Sequence, residues 1–245
     1  MKLSAEERAA NRKAFRAMSP AGKAEYIFSY YKLPLVLVLL GLVFLGTVLH
    51  NNLTKKEAVL YLGCCNIAVG EELRQTLTSE YLSAAGLNPR RQEVYVYDGL
   101  YLSDDPPAEY HEYSYASRLK LLASVNSKQL DVVLMNRESY DLLSAAGYLL
   151  ELPEAMEHAG TALSAAATPL LTENEVVLED NAIEYNLSEA DQYEALTVTV
   201  ANAMEISRGQ LLAEAGFADT VYLGVIANSP RTDSVWRYIS YMLGM

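Results

Sequence analysis

One run dominates the hydrophobic pattern. Residues 33–49 carry no charged side chain, and apolar residues would cover every face of the helix they form. These 17 residues lie at the short end of the length a membrane span needs, about 17–25. A start near residue 26 lengthens the run and sets Tyr26, Tyr30 and Tyr31 at an interface, where amphipathic rings collect. Pro34 stands where few backbone donors are lost. No small-x-small cleavage site follows at His50-Asn51-Asn52-Leu53, so the run reads as an uncleaved transmembrane signal anchor.

Beyond a linker at 50–56 the pattern changes to short apolar runs alternating with helical spacings. Glu57-Ala58-Val59-Leu60-Tyr61-Leu62-Gly63-Cys64 predicts a buried strand. Leu73, Leu77 and Tyr81 recur at i+4 and predict a helix over about 70–85, ended by Gly86. Glu93-Val94-Tyr95-Val96-Tyr97 predicts a second strand. A helix over about 109–125 follows, with Leu119, Leu122 and Val125 on one side. Leu130-Asp131-Val132-Val133-Leu134-Met135 predicts a third strand, and a helix over about 137–146 stops at Gly147. Strands alternating with helices imply parallel β-α-β units. Further on, 175–178 and 182–185 flank Glu179-Asp180-Asn181 as a hairpin. Leu196, Val198 and Val200 alternate with Thr197, Thr199 and Ala201, as in a strand with one buried face. A helix around 207–215, a last strand at 221–227 and a closing helix buried through Val235, Ile239 and Leu243 complete the reading.

Charge divides the chain the same way. Residues 1–32 hold seven of the 19 Lys and Arg and three of the 31 Asp and Glu, so residues 50–245 are strongly acidic. Ser4-Ala5-Glu6-Glu7 matches a capping box, and Ser19-Pro20 an N-cap followed by proline. The basic excess before the apolar run predicts a helical cytoplasmic tail at 1–32, a single pass through the cell membrane at 33–49 and an extracytoplasmic domain at 57–245. The lipid bilayer is then one partner. The net charge of −12 argues against nucleic acid. Two cysteines exclude a disulfide scaffold, and Cys64-Cys65, adjacent in a strand, read as buried thiols.

The stretch from Leu119-Lys120-Leu121-Leu122 through Asp131-Val132-Val133-Leu134-Met135-Asn136 to Tyr140-Asp141-Leu142-Leu143 and Gly147-Tyr148-Leu149-Leu150-Glu151-Leu152 resembles type 2 extracellular solute-binding proteins. The ending Val221-Tyr222-Leu223-Gly224-Val225-Ile226-Ala227-Asn228-Ser229 resembles their closing strand. Tyr26-Ile27-Phe28-Ser29-Tyr30-Tyr31-Lys32 is similar to the segment before the span in small membrane-anchored proteins of Gram-positive bacteria. The resemblance implies an α/β mixed sheet like one lobe of that family. Members close two lobes over a ligand by hinge motion. Only about 90 residues follow Leu152 here, so the second lobe is reduced or absent.

A ligand of such a sheet sits at the carboxyl ends of the strands. That selects Asn66, Tyr97, Asp98, Asn136, Arg137, Ser139, Asn228 and Ser229, with Cys65 beside them and Arg137 able to fork onto a carboxylate. Asn136 and Ser139 equally fit a helix cap. Tyr101, Tyr110, Tyr113 and Tyr115 crowd one acidic window and suit a partner surface. The three His lack metal spacing, and no nucleophile or nucleotide motif occurs, so no catalytic residue, metal or cofactor is expected. Two functions follow. One is a non-catalytic, solute-binding-like accessory or sensor component, with a small-molecule ligand. The other is a structural interaction module of an envelope complex that binds another membrane protein or itself.

Overall fold

A computed structural model describes residues 4–30, 32–181, 194–207, 210–213, 217 and 220–245. The chain forms two compact units, residues 1–55 and 56–245.

The first unit is helical: α1 (Ala5–Ala17), α2 (Pro20–Tyr30) and α3 (Lys32–Thr54). Ser19 caps α2, its Oγ accepting from Gly22 N at 3.2 Å. Among the described residues, no helix is long and apolar enough to cross a membrane. This corrects the transmembrane signal anchor. The uncharged run 33–49 holds 17 residues and rises about 26 Å as a helix at ~1.5 Å per residue, short of a hydrocarbon core of about 30 Å. The single-pass placement, the cell-membrane location, the cytoplasmic tail and the extracytoplasmic domain rested on that span and fall with it. Tyr31, one of the expected interface rings, lies outside the described residues.

The second unit is α/β, with a six-stranded mixed sheet in the order β2-β1-β3-β6-β5-β4. Its strands are β1 (Glu57–Cys65), β2 (Gln92–Leu100), β3 (Val132–Met135), β4 (Leu171–Asp180), β5 (Ala195–Glu205) and β6 (Tyr222–Val225). β1 runs parallel to both β2 and β3. β6 is antiparallel to β3, and β4, β5 and β6 pair antiparallel in turn. β4 runs on through Glu179 and Asp180, which pair with Leu196 and Ala195 of β5, so the turn expected at 179–181 is corrected; its second arm, 182–185, lies outside the described residues. The first five residues of β5 are exposed on both faces; burial begins only at Asn202. The one-sided burial expected of Leu196 and Val198 is corrected, because β5 outruns its neighbour β6 there.

Helices cover both faces of the sheet. One face carries Leu60, Leu62, Val132, Leu134 and Leu223 against α4 (Glu71–Gln75), α5 (Tyr81–Ala84), α8 (Leu152–Ala159), α9 (Thr161–Ala167), α10 (Gln210–Ala213) and α11 (Thr232–Met242). The other carries Cys65, Val133, Met135 and Tyr222 against α6 (His111–Asn126) and α7 (Arg137–Ala145). Leu152, Met156 and Leu163 seat α8 and α9.

Between α4 and α5 the turn Thr76–Glu80 is π-wound. Its Thr76 and Leu77 carbonyls accept from the hydroxyls of Tyr241 (2.9 Å) and Tyr238 (3.1 Å) on α11. The expected helix is thus continuous from Glu71 to Ala84, and its widened turn is met by side chains from the far end of the sequence. On the opposite face, Gly63, Val133 and Gly224 sit side by side across β1, β3 and β6. A Cβ on Gly224 would stand 2.9 Å from both Met135 Cε and Leu149 Cδ2. A methyl-free backbone there lets these side chains close over the sheet.

Candidate functional site

The selected ligand residues do not converge. β6 runs antiparallel to β3, so its carboxyl end lies at the amino ends of the parallel strands. Asn228 and Ser229 therefore stand at the edge opposite Asn136, Arg137 and Ser139. The expected place of Asn228 and Ser229 with the others at the carboxyl ends of the parallel strands is corrected. A strand's apolar run carries no mark of direction, and the return from β5 sets it.

Most of these side chains are already committed. Asn66, at φ 55°, accepts from Leu102 N at 2.9 Å and donates to Leu102 O at 2.6 Å, locking the chain beyond β2. Tyr97 and Asp98 point to opposite faces. Asp98 pairs with Arg74, and Lys120 Nζ lies 5.3 Å from the Tyr97 ring. Burial pushes the Tyr97 hydroxyl above its ordinary value, opposed by its bond with Ser124. Asn136 Oδ1 caps α7 by accepting from Ser139 N at 3.0 Å. Arg137 pairs with Asp141 at 2.9 Å, a bond that raises the guanidinium's pKa further.

At the opposite edge Ser229 Oγ donates to Asp131 Oδ1 at 2.6 Å, and Tyr61 N donates to Oδ2 at 2.8 Å. Asp131 is fully buried. Arg231 Nε stands 3.1 Å from its Oδ2, a charge contact without the alignment of a hydrogen bond, and the guanidinium covers the Tyr61 ring at 4.5 Å. Asn228 Nδ2 donates to Val125 O at 3.0 Å. These contacts tie the start of β3 to the chain after β6.

The predicted partner tyrosines divide as well. Tyr101 packs on Tyr110 and Tyr113, with ring centroids 5.6 and 6.1 Å apart, and the Tyr113 hydroxyl bonds Gly99 O. Tyr115 lies on another side of α6, 66% exposed.

The side of α6 that carries Tyr115, expected as a partner surface at that ring, also presents Leu119 and Leu122. The helix expected over 109–125 is present, but its faces are exchanged. Ser114, Ser117 and Ser124 are buried with Leu121 and Val125, while Leu119 and Leu122 remain 49% and 40% exposed. Leu119 and Leu122 were expected beside Val125 on one side; this is corrected. The buried serines are satisfied locally. Ser117 Oγ accepts from Tyr101 N at 3.1 Å, Ser124 Oγ donates to Lys120 O at 2.8 Å, and Ser114 Oγ reaches Ser103 O at 3.4 Å. Small side chains on the inner face let α6 lie close to β2. The usual signal of amphipathicity then fails, because hydroxyls bonded to nearby backbone behave as core residues.

The exposed leucines border an apolar groove of about 220 Å³ between α6 and α7, with Leu142, Ala146 and Tyr148 on its far wall. Arg118 stands at its mouth. Its guanidinium donates to Ser103 O at 2.6 Å and to Asp104 Oδ1 at 3.0 Å. Beyond Arg118 lies a shallower polar recess of about 280 Å³ that includes Asp104, His111 and Tyr115. An apolar floor, one tethered cation and an acidic margin thus form a continuous strip.

Comparison with protein-family models, curated proteins and solved structures finds no match. Function is therefore read from this geometry.

Proposed function

We propose that residues 56–245 form a non-catalytic binding module that engages a partner polypeptide through the outer face of α6 and its groove against α7. The observation that carries this reading is the exchange of faces on α6, with serines inward and leucines outward. Fully burying a leucine gains about 1.5–3 kcal/mol, so a helix that leaves two of them beside a ready groove forgoes stability that a partner restores. Exposed apolar strips rimmed by polar residues mark interaction sites. The scaffold reading proposed with it is a single lobe of the type 2 solute-binding kind, supported by the parallel order β2-β1-β3 with helices on both faces. A solute cleft receives less support, since Asn136 and Asn228 stand at opposite edges.

The test is site-specific photo-crosslinking in the organism of origin. With a benzophenone residue at Leu119 or Leu122, a discrete protein adduct is expected; at exposed Glu138 on α7 it is absent. Identical patterns at all three positions overturn the reading. A saturable thermal shift of the full chain with an amino acid or sugar, abolished by Arg137→Ala, also overturns it in favour of solute binding.

A further inference from the structure

Resting on that reading, we infer that the occupant of the α6–α7 groove is an amphipathic α-helix with an apolar stripe flanked by Lys and Arg. Three features select it. The groove is walled mainly by α6 and α7, whose backbone groups are bonded internally, and Leu102 and Tyr148 beside them have both backbone groups bonded as well, so no strand can add there; the guest must arrive with its own backbone satisfied, as a helix does. The cavity, about 220 Å³ and open to one side, is smaller than the ~300–1,000 Å³ of small-molecule sites, and its one charged group, Arg118, is already held by Ser103 and Asp104. Tyr115, Leu119 and Leu122 follow i, i+4, i+7 along α6, about 10 Å, the length of two turns of a packed helix.

Charge chooses the flanks. Glu112 continues the same stripe one turn earlier, and Asp104, Asp105 and Glu109 stand exposed on the adjoining loop and turn. Among the described residues, Asp105, Glu109 and Glu112 have no cationic partner; only Asp104 is paired, with Arg118. A guest with basic residues beside its leucines meets this acidic margin, and an acidic guest is repelled.

The experiment uses the full chain and two labelled helical peptides of roughly 15 residues, with leucine at i, i+3, i+4 and i+7 and the remaining positions rich in lysine or in glutamate. Fluorescence anisotropy is expected to show saturable binding of the leucine–lysine peptide, weakened about tenfold or more by Leu119→Glu and by Leu122→Glu. The leucine–glutamate peptide is expected to bind at least about tenfold more weakly. Both leucines are exposed, so unchanged circular dichroism melts verify folding; Leu119→Gln, which adds no charge, is the second variant and is expected to weaken binding in the same direction. Equal binding of the two peptides overturns the charge assignment. Lysine-peptide binding indifferent to the Leu119 and Leu122 variants overturns the groove as its seat. No peptide binding, with the Leu119 photo-adduct still present, overturns the helix while the partner-binding function stands; loss of the adduct as well removes both.

Discussion

The sheet of the second unit is two structures in one. In its middle, all four residues of β3 and of β6 are buried, as are the last four of β1, and all read as continuous apolar runs. At one margin, β4 and β5 form a long ribbon in which β4 has no fully buried residue and β5 only three. The ribbon is fastened at its base rather than along its length. Tyr140 on α7 bridges Thr172 O and Asn202 Oδ1, both at 2.8 Å; Ser144 Oγ accepts from Asn202 Nδ2 and donates to Glu175 O, again at 2.8 Å. The contrast teaches that one hydrogen-bonded sheet can hold strands by different means, apolar burial in the middle and a small buried polar network at the margin.

Asp131→Ala is expected to give the largest effect. It orphans Tyr61 N and leaves Arg231 without its carboxylate, costing about 3 kcal/mol in urea unfolding, with every probe melting together. A variant that loosens only the ribbon breaks the comparison. Gly224→Ala comes next, at about 2 kcal/mol, because the new methyl meets Met135 and Leu149 where the middle strands are tightest. Tyr140→Phe is expected to cost about 1 kcal/mol. Its mark is local: amide exchange in β4 accelerates while β1 and β3 keep their protection, and uniform acceleration instead makes the network a global support.

Raising the pH is the mildest perturbation and sharpens the contrast further. Burial pushes the Cys64 thiol from its ordinary 9.0 up to about 12, and moves Cys65, Tyr140 and Tyr238 upward too. The folded chain keeps protons that the unfolded chain releases. Stability from these groups is therefore intact below about pH 9 and falls as pH rises from there through 12. β4 and β5 contain neither Cys nor Tyr, and share in this loss through Tyr140 at their base. Urea midpoints should drop from pH 8 to pH 11, and a thiol reagent should leave both cysteines untouched at pH 8; rapid labelling there contradicts their burial.

The buried middle was legible because its strands are unbroken apolar runs near 57–64, 130–135 and 221–227, and the helices between them end at Gly86 and Gly147, both at positive φ. What stayed hidden depends on neighbours. Val221 to Ala227 reads the same in either direction, so the reversal of β6, and with it the scattering of Asn228 and Ser229 from Asn136, is a tertiary fact. Ser114 and Ser117 look like a solvated face until Tyr101 and the loop after β2 supply their partners. The outward turn of Leu119 and Leu122 was hidden for the same reason: they count as core in any reading that rewards apolar spacing alone.

The tyrosine hydroxyls of α11 that cap the π-wound turn reach across more than 160 positions of sequence. A nascent chain therefore exposes the Thr76 and Leu77 carbonyls until Tyr238 and Tyr241 have left the ribosome, and β6, which joins β3 to β5, emerges almost as late. Such distant closure slows folding and leaves strand edges open during synthesis. The second unit therefore closes only once residues 222–241 have been made.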